Sequence, residues 1–157
     1  NCVELADAST TECLDGLVYG PLRRRGAGGP KDRYCRGRAA VLSGDTTFNE
    51  NLIEHARGAD LLVHEVTAVA GSAAENAEQL KRIGSNHTTP QQAGEIFARV
   101  EPKLAVYNHL LLFGTATAKE LIPATRQKYA GPLIVGEDLL AIEIGDGVHA
   151  KAFGTNA

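Results

Sequence analysis

The stretch SGDTTFNENLIEHARGADLLVHEVT at residues 43–67, followed by SNHTTPQQAGEIFARVEPKLAVYNHL at 85–110, sets the order of the fold. Just before it, Ala39-Ala40-Val41-Leu42 is a short run of buried-strand character. Asn49 to Arg57 reads as a helix that stops at Gly58, and Leu61-Leu62-Val63 as a second strand, apolar throughout as expected when both faces are covered. Ala73 to Ile83 has helical composition and is closed by Gly84. Thr89-Pro90 is a helix start, because Thr can cap the free N–H groups and Pro at the first helical position gives up no needed donor. That helix runs to about Val100. Lys103 to Tyr107 predicts a third strand, Ala116 to Tyr129 a helix ended by Gly131-Pro132, and Leu133-Ile134-Val135 a fourth strand. Leu139 to Ile144 and Val148 to Phe153, around Gly145-Asp146-Gly147, read as a terminal hairpin. Strands alternating with helices define an α/β architecture.

Working outward, 157 residues with 43% hydrophobic content suffice for one domain with a real core. A charged fraction of 22% and a net charge of -3 give no whole-chain signal for nucleic acid or a membrane surface. No apolar run reaches the roughly 18 residues of a membrane span, and NCVELADAST has neither basic n-region nor apolar h-region, so no targeting signal is visible. Cys2, Cys13 and Cys35 lack C-x-x-C spacing and read as free or incidental thiols. The lack of any methionine, an initiator included, leads to the expectation of a processed or truncated start. Residues 1–38 differ from 39–157. Acids come first, then the basic Gly-rich GPLRRRGAGGPKDRYCRGR, which reads as a solvated arm or, less commonly, a phosphate contact.

Four segments stand at strand ends, where α/β proteins place their sites: Ser43-Gly44-Asp45-Thr46, His64-Glu65-Val66-Thr67, Asn86-His87-Thr88-Thr89 and Asn108-His109. Alone, Asp45 reads as part of an Asx turn and His109 as a surface histidine. Together they offer a carboxylate and an imidazole, two of the three protein ligands that a catalytic zinc ordinarily takes. Glu65 after a buried strand and His87 before a capped helix can form a pair in which the carboxylate orients the imidazole, or can merely solvate two loops. His64, inside the strand pattern, reads as a packed core residue.

The two stretches resemble the second half of the metallo-β-lactamase superfamily, in particular its ribonuclease Z-like and arylsulfatase-like branch, over roughly residues 38–144. The match is one of order: an aspartate after a strand, a His-Glu-x-Thr element after the next, a His-x-Thr before a helix, then a strand-terminal histidine. It implies the C-terminal half of an αββα sandwich. It also implies Asp45 as the aspartate that bridges two zinc ions, His109 as a further metal ligand, and Glu65 with His87 as a proton-donating pair. Thr67 and Thr88 complete those motifs without needing a direct role. The implied activity is zinc-dependent hydrolysis of a phosphodiester, sulfate-ester or lactam-type bond, in a small-molecule ester, a lactam or a nucleic-acid phosphodiester.

Departures temper this. The family's H-x-H-x-D-H cluster is absent, no histidine precedes His55, and an Arg/Gly-rich stretch stands where another ligand is expected. With only Asp45 and His109 to bind the metal directly, weak zinc binding by this chain alone is expected. The alternative is a non-catalytic half-domain, acting as a homo-oligomer or with a missing N-terminal half that covers its sheet.

Overall fold

The computed structural model describes residues 4–6, 38–71 and 76–152. Its centre is a four-stranded sheet in the order β2 (Ala40–Leu42), β3 (Leu61–Ala70), β4 (Leu104–Gly114), β5 (Leu133–Val135), every neighbouring pair parallel. Parallel pairs need crossovers, and the intervening chain supplies α1 (Glu50–Ala56), α2 (Ala77–Gly84), α3 (Pro90–Val100) and α4 (Leu121–Thr125). A second sheet joins β1 (Glu4–Ala6) in parallel to β6 (Leu140–Ile144), and β6 in antiparallel to β7 (Val148–Ala152).

Local chemistry explains the helices that matter. Asn49 accepts the Asn51 N–H to open α1, whose Leu52, Ile53 and Ala56 are buried. Thr89 opens α3 through a reciprocal capping box with Gln92, Pro90 sits in the first turn, and Glu101 ends the helix in a left-handed conformation. Gly94 lets α3 approach α4 closely, since a Cβ there would lie 2.7 Å from the Thr125 carbonyl.

The strand alternation divides the core in two. Leu62, Val66, Ala105 and Tyr107 pack with Ile53, Ile96, Phe97 and Leu121 of the helices. Leu61, Val63, Leu104 and Val106 pack on Ile142, with Leu140, Ile144 and Val148 of the hairpin around it. Helix layer, sheet and the start of a second sheet therefore make half of an αββα sandwich, and both faces of the sheet are covered, as the unbroken apolarity of residues 61–63 required. Phe97 is wholly buried against the rings of Tyr107 and Tyr129, each 5.5 Å away, so Phe97→Ala should destabilise by about 3–5 kcal/mol.

Three expectations need correction. Strands β3 and β4 run on to Ala70 and Gly114, so Glu65 and His109 lie within strands rather than after them. The helix expected from Ala116 to Tyr129 is a 3₁₀ turn at Ala118–Glu120 and a single α-turn at Leu121–Thr125, shortened where Pro123 removes a backbone donor. Glu4–Ala6 form a strand inside the segment read as irregular. The basic stretch at 20–36, residues 72–75 at the expected start of α2, and Phe153 lie outside the described residues. Among the described residues no helix is long and apolar enough to cross a membrane.

Candidate metal centre at the sheet edge

Just past the C-terminal end of β2 and beside the middle of β3 and β4, two loops and one strand irregularity bring the chemistry together. Ser43 continues β2 by donating its N–H to Val63 O at 2.9 Å. Gly44 then takes φ +59, a left-handed conformation that a Cβ disfavours, and turns the chain so that Asp45 is exposed at the edge.

His109 reaches the same place by a different device. Along the β3–β4 ladder Glu65 faces Asn108, but Val66 faces Leu110, so His109 is an extra residue on β4. Its φ is 41°, uncommon outside glycine. The bulge lifts the imidazole out of the ladder, with Nε2 3.3 Å from Asp45 Oδ1.

Glu65, fully buried on β3, is the second part. Its N–H donates to Ser43 Oγ at 3.2 Å, and its Oε1 accepts the Thr88 N–H at 2.6 Å. Oε2 lies 3.4 Å from His87 Nδ1, within ion-pair range but outside good hydrogen-bond geometry, and neither atom has a hydrogen-bond partner among the described residues. Burial pushes the Glu65 carboxyl up to about 7, helped by the nearby Asp45 charge and opposed by bonds to Thr88 and Thr46. A carboxyl of that kind can gain and lose a proton near neutrality.

His87 stands between the two parts. Its ring centroid is 6.1 Å from that of His109. Asp45, His87 and His109 form the one group of potential metal ligands among the described residues, with a donor atom from each within 4.8 Å of the others. One carboxylate and two imidazoles suit zinc and other borderline divalent ions, which take oxygen and nitrogen donors at about 2.0–2.2 Å. The donor set fits one ion, and the described residues do not furnish the several further ligands of a two-ion site.

The sequence-derived candidates Asp45, Glu65, His87 and His109 are thus neighbours. His64 is the packed residue expected: wholly buried, edge-on to Phe97 at 6.0 Å, with Nδ1 2.6 Å from the Glu65 carbonyl. Burial holds its imidazole down at about 4, so it is neutral at pH 7. His55 bonds back to Asn51 O within α1, and His149 is exposed on β7, so neither joins the cluster. Ser43 and Thr46 were missed by sequence reasoning, because their parts are played by a hydroxyl accepting a backbone N–H and by a backbone carbonyl.

Comparison with known proteins bears on the fold and the family likeness. No family model matches the chain. The chain is 31% identical over 108 residues to ribonuclease Z of Myxococcus xanthus and 34% identical over 110 residues to that of Methanothermobacter thermautotrophicus, in each case 69% of this chain and 33% of the relative. Ribonuclease Z of Halobacterium salinarum matches at 29% over 140 residues, 89% of this chain and 41% of its own length. The chain therefore spans about a third of the length of the first curated relatives it matches. Among solved structures, the metallo-β-lactamase fold protein YhfI from Bacillus subtilis superposes with a TM-score of 0.51 at 16% identity, over 73% of this chain and 40% of that one. The fold is that of the metallo-β-lactamase sandwich. By sequence the chain is ribonuclease Z-like, similar to the C-terminal part of those relatives.

Proposed function

We propose that this chain carries one side of the active site of a metal-dependent hydrolase that cleaves phosphodiester bonds in nucleic acid. The observation that supports this best is the approach of Asp45, just past β2, and His109, at the β4 bulge, to 3.3 Å, beside a buried Glu65 that faces His87. Asp45 and His109 would hold the ion, with zinc favoured by the donor set. The chemistry such an ion supplies is activation of water near neutral pH and neutralisation of charge on the scissile group. With Nδ1 turned to Glu65, His87 keeps Nε2 for the site and donates a proton to the leaving oxygen. Glu65 fixes the ring and stabilises its charged form.

The 4.8 Å spacing also favours a second reading, in which His87 is the third ligand and Glu65 backs it as the carboxylate partner commonly found behind metal-bound histidines. One experiment separates the two. Zinc and cobalt(II) are titrated into the chain and its Asp45→Ala, His109→Ala and His87→Ala variants, with hydrolysis of bis(p-nitrophenyl) phosphate, a sulfate ester and a β-lactam followed in parallel. Loss of metal in the first two variants but not the third, with phosphodiester turnover preferred, supports the proton-donor reading. Loss in all three makes His87 a ligand. A chain that binds no metal yet self-associates tightly would overturn the proposal in favour of a non-catalytic half-domain.

A further inference from the structure

Thr88 spends each of its polar groups on a different part of the site. Its N–H donates to Glu65 Oε1 at 2.6 Å, its hydroxyl donates to Thr46 O at 2.6 Å, and its carbonyl accepts the Thr67 N–H at 2.9 Å. The residue has no exposed surface, and it lies between His87 and Thr89, the N-cap of α3. Thr46 directly follows Asp45, whose own side chain is 62% exposed and meets the rest of the site at His109. The Asp45 carboxylate is therefore held less by packing than by the course of its loop. That loop is tied to the sheet at Ser43 and to the His87 segment at Thr46.

We infer that Thr88 is a positioning residue, whose hydroxyl locks the Asp45 loop to the Glu65–His87 pair so that ligand and proton donor keep one mutual geometry. A buried hydroxyl bonded to a backbone carbonyl confers this role only if the carbonyl belongs to a segment with few other anchors; besides it, residues 44–47 reach out through the Thr46 backbone bond to Glu65 and the approach of Asp45 to His109. The local bonds there, Ser43 Oγ to Gly44 O and Thr46 Oγ1 to Thr47 O, stay within the loop and do not fix it to anything else.

The inference rests on the metal-site reading above, and its test is built to fail separately from it. Thr88→Val keeps shape and removes the hydroxyl, Thr88→Ala removes it without β-branching, and Thr88→Ser restores it. Thr125→Val is the control. Thr125 is equally buried, and its hydroxyl bonds Tyr107 and Leu121 O in the helix-side core, so its loss lowers stability without touching the loop. Two readouts are taken: zinc affinity by calorimetry, and amide hydrogen exchange of residues 43–48 in metal-free protein. In Thr88→Val and Thr88→Ala zinc binding should weaken on the order of 10-fold, within the roughly 10–100-fold typical when a partner behind a ligand is removed. Exchange in the loop should quicken by about 10-fold, as for one lost buried hydrogen bond. Thr88→Ser should stay within about 3-fold of the parent in both, and Thr125→Val should move neither. Unchanged loop exchange in Thr88→Val and Thr88→Ala overturns the inference, whatever the metal does. If instead Asp45→Ala binds zinc as the parent does, the metal reading falls, and loop exchange still decides whether Thr88 organises this edge.

Discussion

At the N-terminal ends of the strands, Asp60 is buried and fully answered: Oδ2 accepts the Ala39 N–H at 2.7 Å and Oδ1 pairs with Lys103 Nζ at 2.6 Å. Its backbone joins the same stitch, with its N–H to Ala39 O and its carbonyl to the Leu104 N–H. Burial alone would raise this carboxyl, but Lys103 and the Ala39 N–H outweigh it and hold it below the ordinary value. On the far side of β2, in the middle of β3, Glu65 is also buried, yet Oε2 lacks a hydrogen bond, His87 Nδ1 opposite lacks one as well, and burial pushes the carboxyl up to about 7. The left-handed His109 lies at this end too. One acid closes a structure. The other is left short of partners, which is the condition for a group that exchanges protons.

The largest expected effect tests the unanswered end. In an active form, with any ligands this chain lacks supplied, His87→Ala should lower phosphodiester turnover by roughly 10²–10⁴-fold with little change in bound metal. Asp45→Ala should remove metal and turnover together. Parallel metal analysis and kinetics check both. Equal loss of metal in the two variants would make the His87–Glu65 pair part of the ion's ligation instead.

Asp60→Ala tests the answered end. It strands the Ala39 N–H and leaves Lys103, which is half-exposed, without its partner, so a loss of about 2 kcal/mol is expected, read as a fall in Tm. Zinc affinity should stay within about 2-fold of the parent. If Asp60→Ala weakens zinc as Asp45→Ala does, the two ends are not functionally distinct.

The pH dependence of stability sharpens the contrast. Glu65, raised to about 7 by burial, contributes stability that is full below its unfolded value of 4.5 and is lost as pH rises through 7. His64, lowered to about 4, contributes stability that is full above 6.5 and is lost as pH falls through 4. The two slopes oppose each other between pH 4.5 and 6.5 and largely cancel. Glu65→Gln removes one of them. Relative to the parent it should gain on the order of 2 kcal/mol between pH 4.5 and 8, and it should lose stability more steeply on acidification. Denaturation of metal-free protein across that range checks this; parallel curves for parent and variant would show that Glu65 does not titrate as a buried acid.

The fold was largely legible in the sequence, because capping chemistry and unbroken apolar runs are local signals. Thr89-Pro90 and Leu61-Leu62-Val63 stand where the reading put them. The polar pair His64-Glu65 hid the second half of β3, since a strand that carries a site breaks its own apolar pattern. Asp45 and His109 are far apart in sequence, and composition offers nothing to join them; the order of motifs did so by resemblance. The bulge was not legible at all, because register belongs to a pair of strands and not to either one. Thr88 was passed over for a related reason: its three partners lie on two other segments.

The smallest expected effect concerns that bulge. At φ 41° a side chain strains the backbone, and His109 bears this strain with an imidazole that is 47% exposed, so little packing compensates it. His109→Ala removes the imidazole and keeps the Cβ, whereas His109→Gly removes both. At an ordinary position glycine is the less stable of the two by roughly 0.5–1 kcal/mol, because it has more freedom to lose on folding. In the left-handed region the order reverses, since the relieved Cβ clash of about 1–2 kcal/mol exceeds that entropy. His109→Gly should therefore be more stable than His109→Ala by on the order of 0.5–1 kcal/mol, measured by denaturant titration without metal. Zinc affinity should fall equally in both, since each lacks the ligand. If alanine proves the more stable, the chain relaxes out of the left-handed conformation once the imidazole is gone. The bulge would then be held by the histidine's contact with Asp45, and not imposed on the histidine by the ladder.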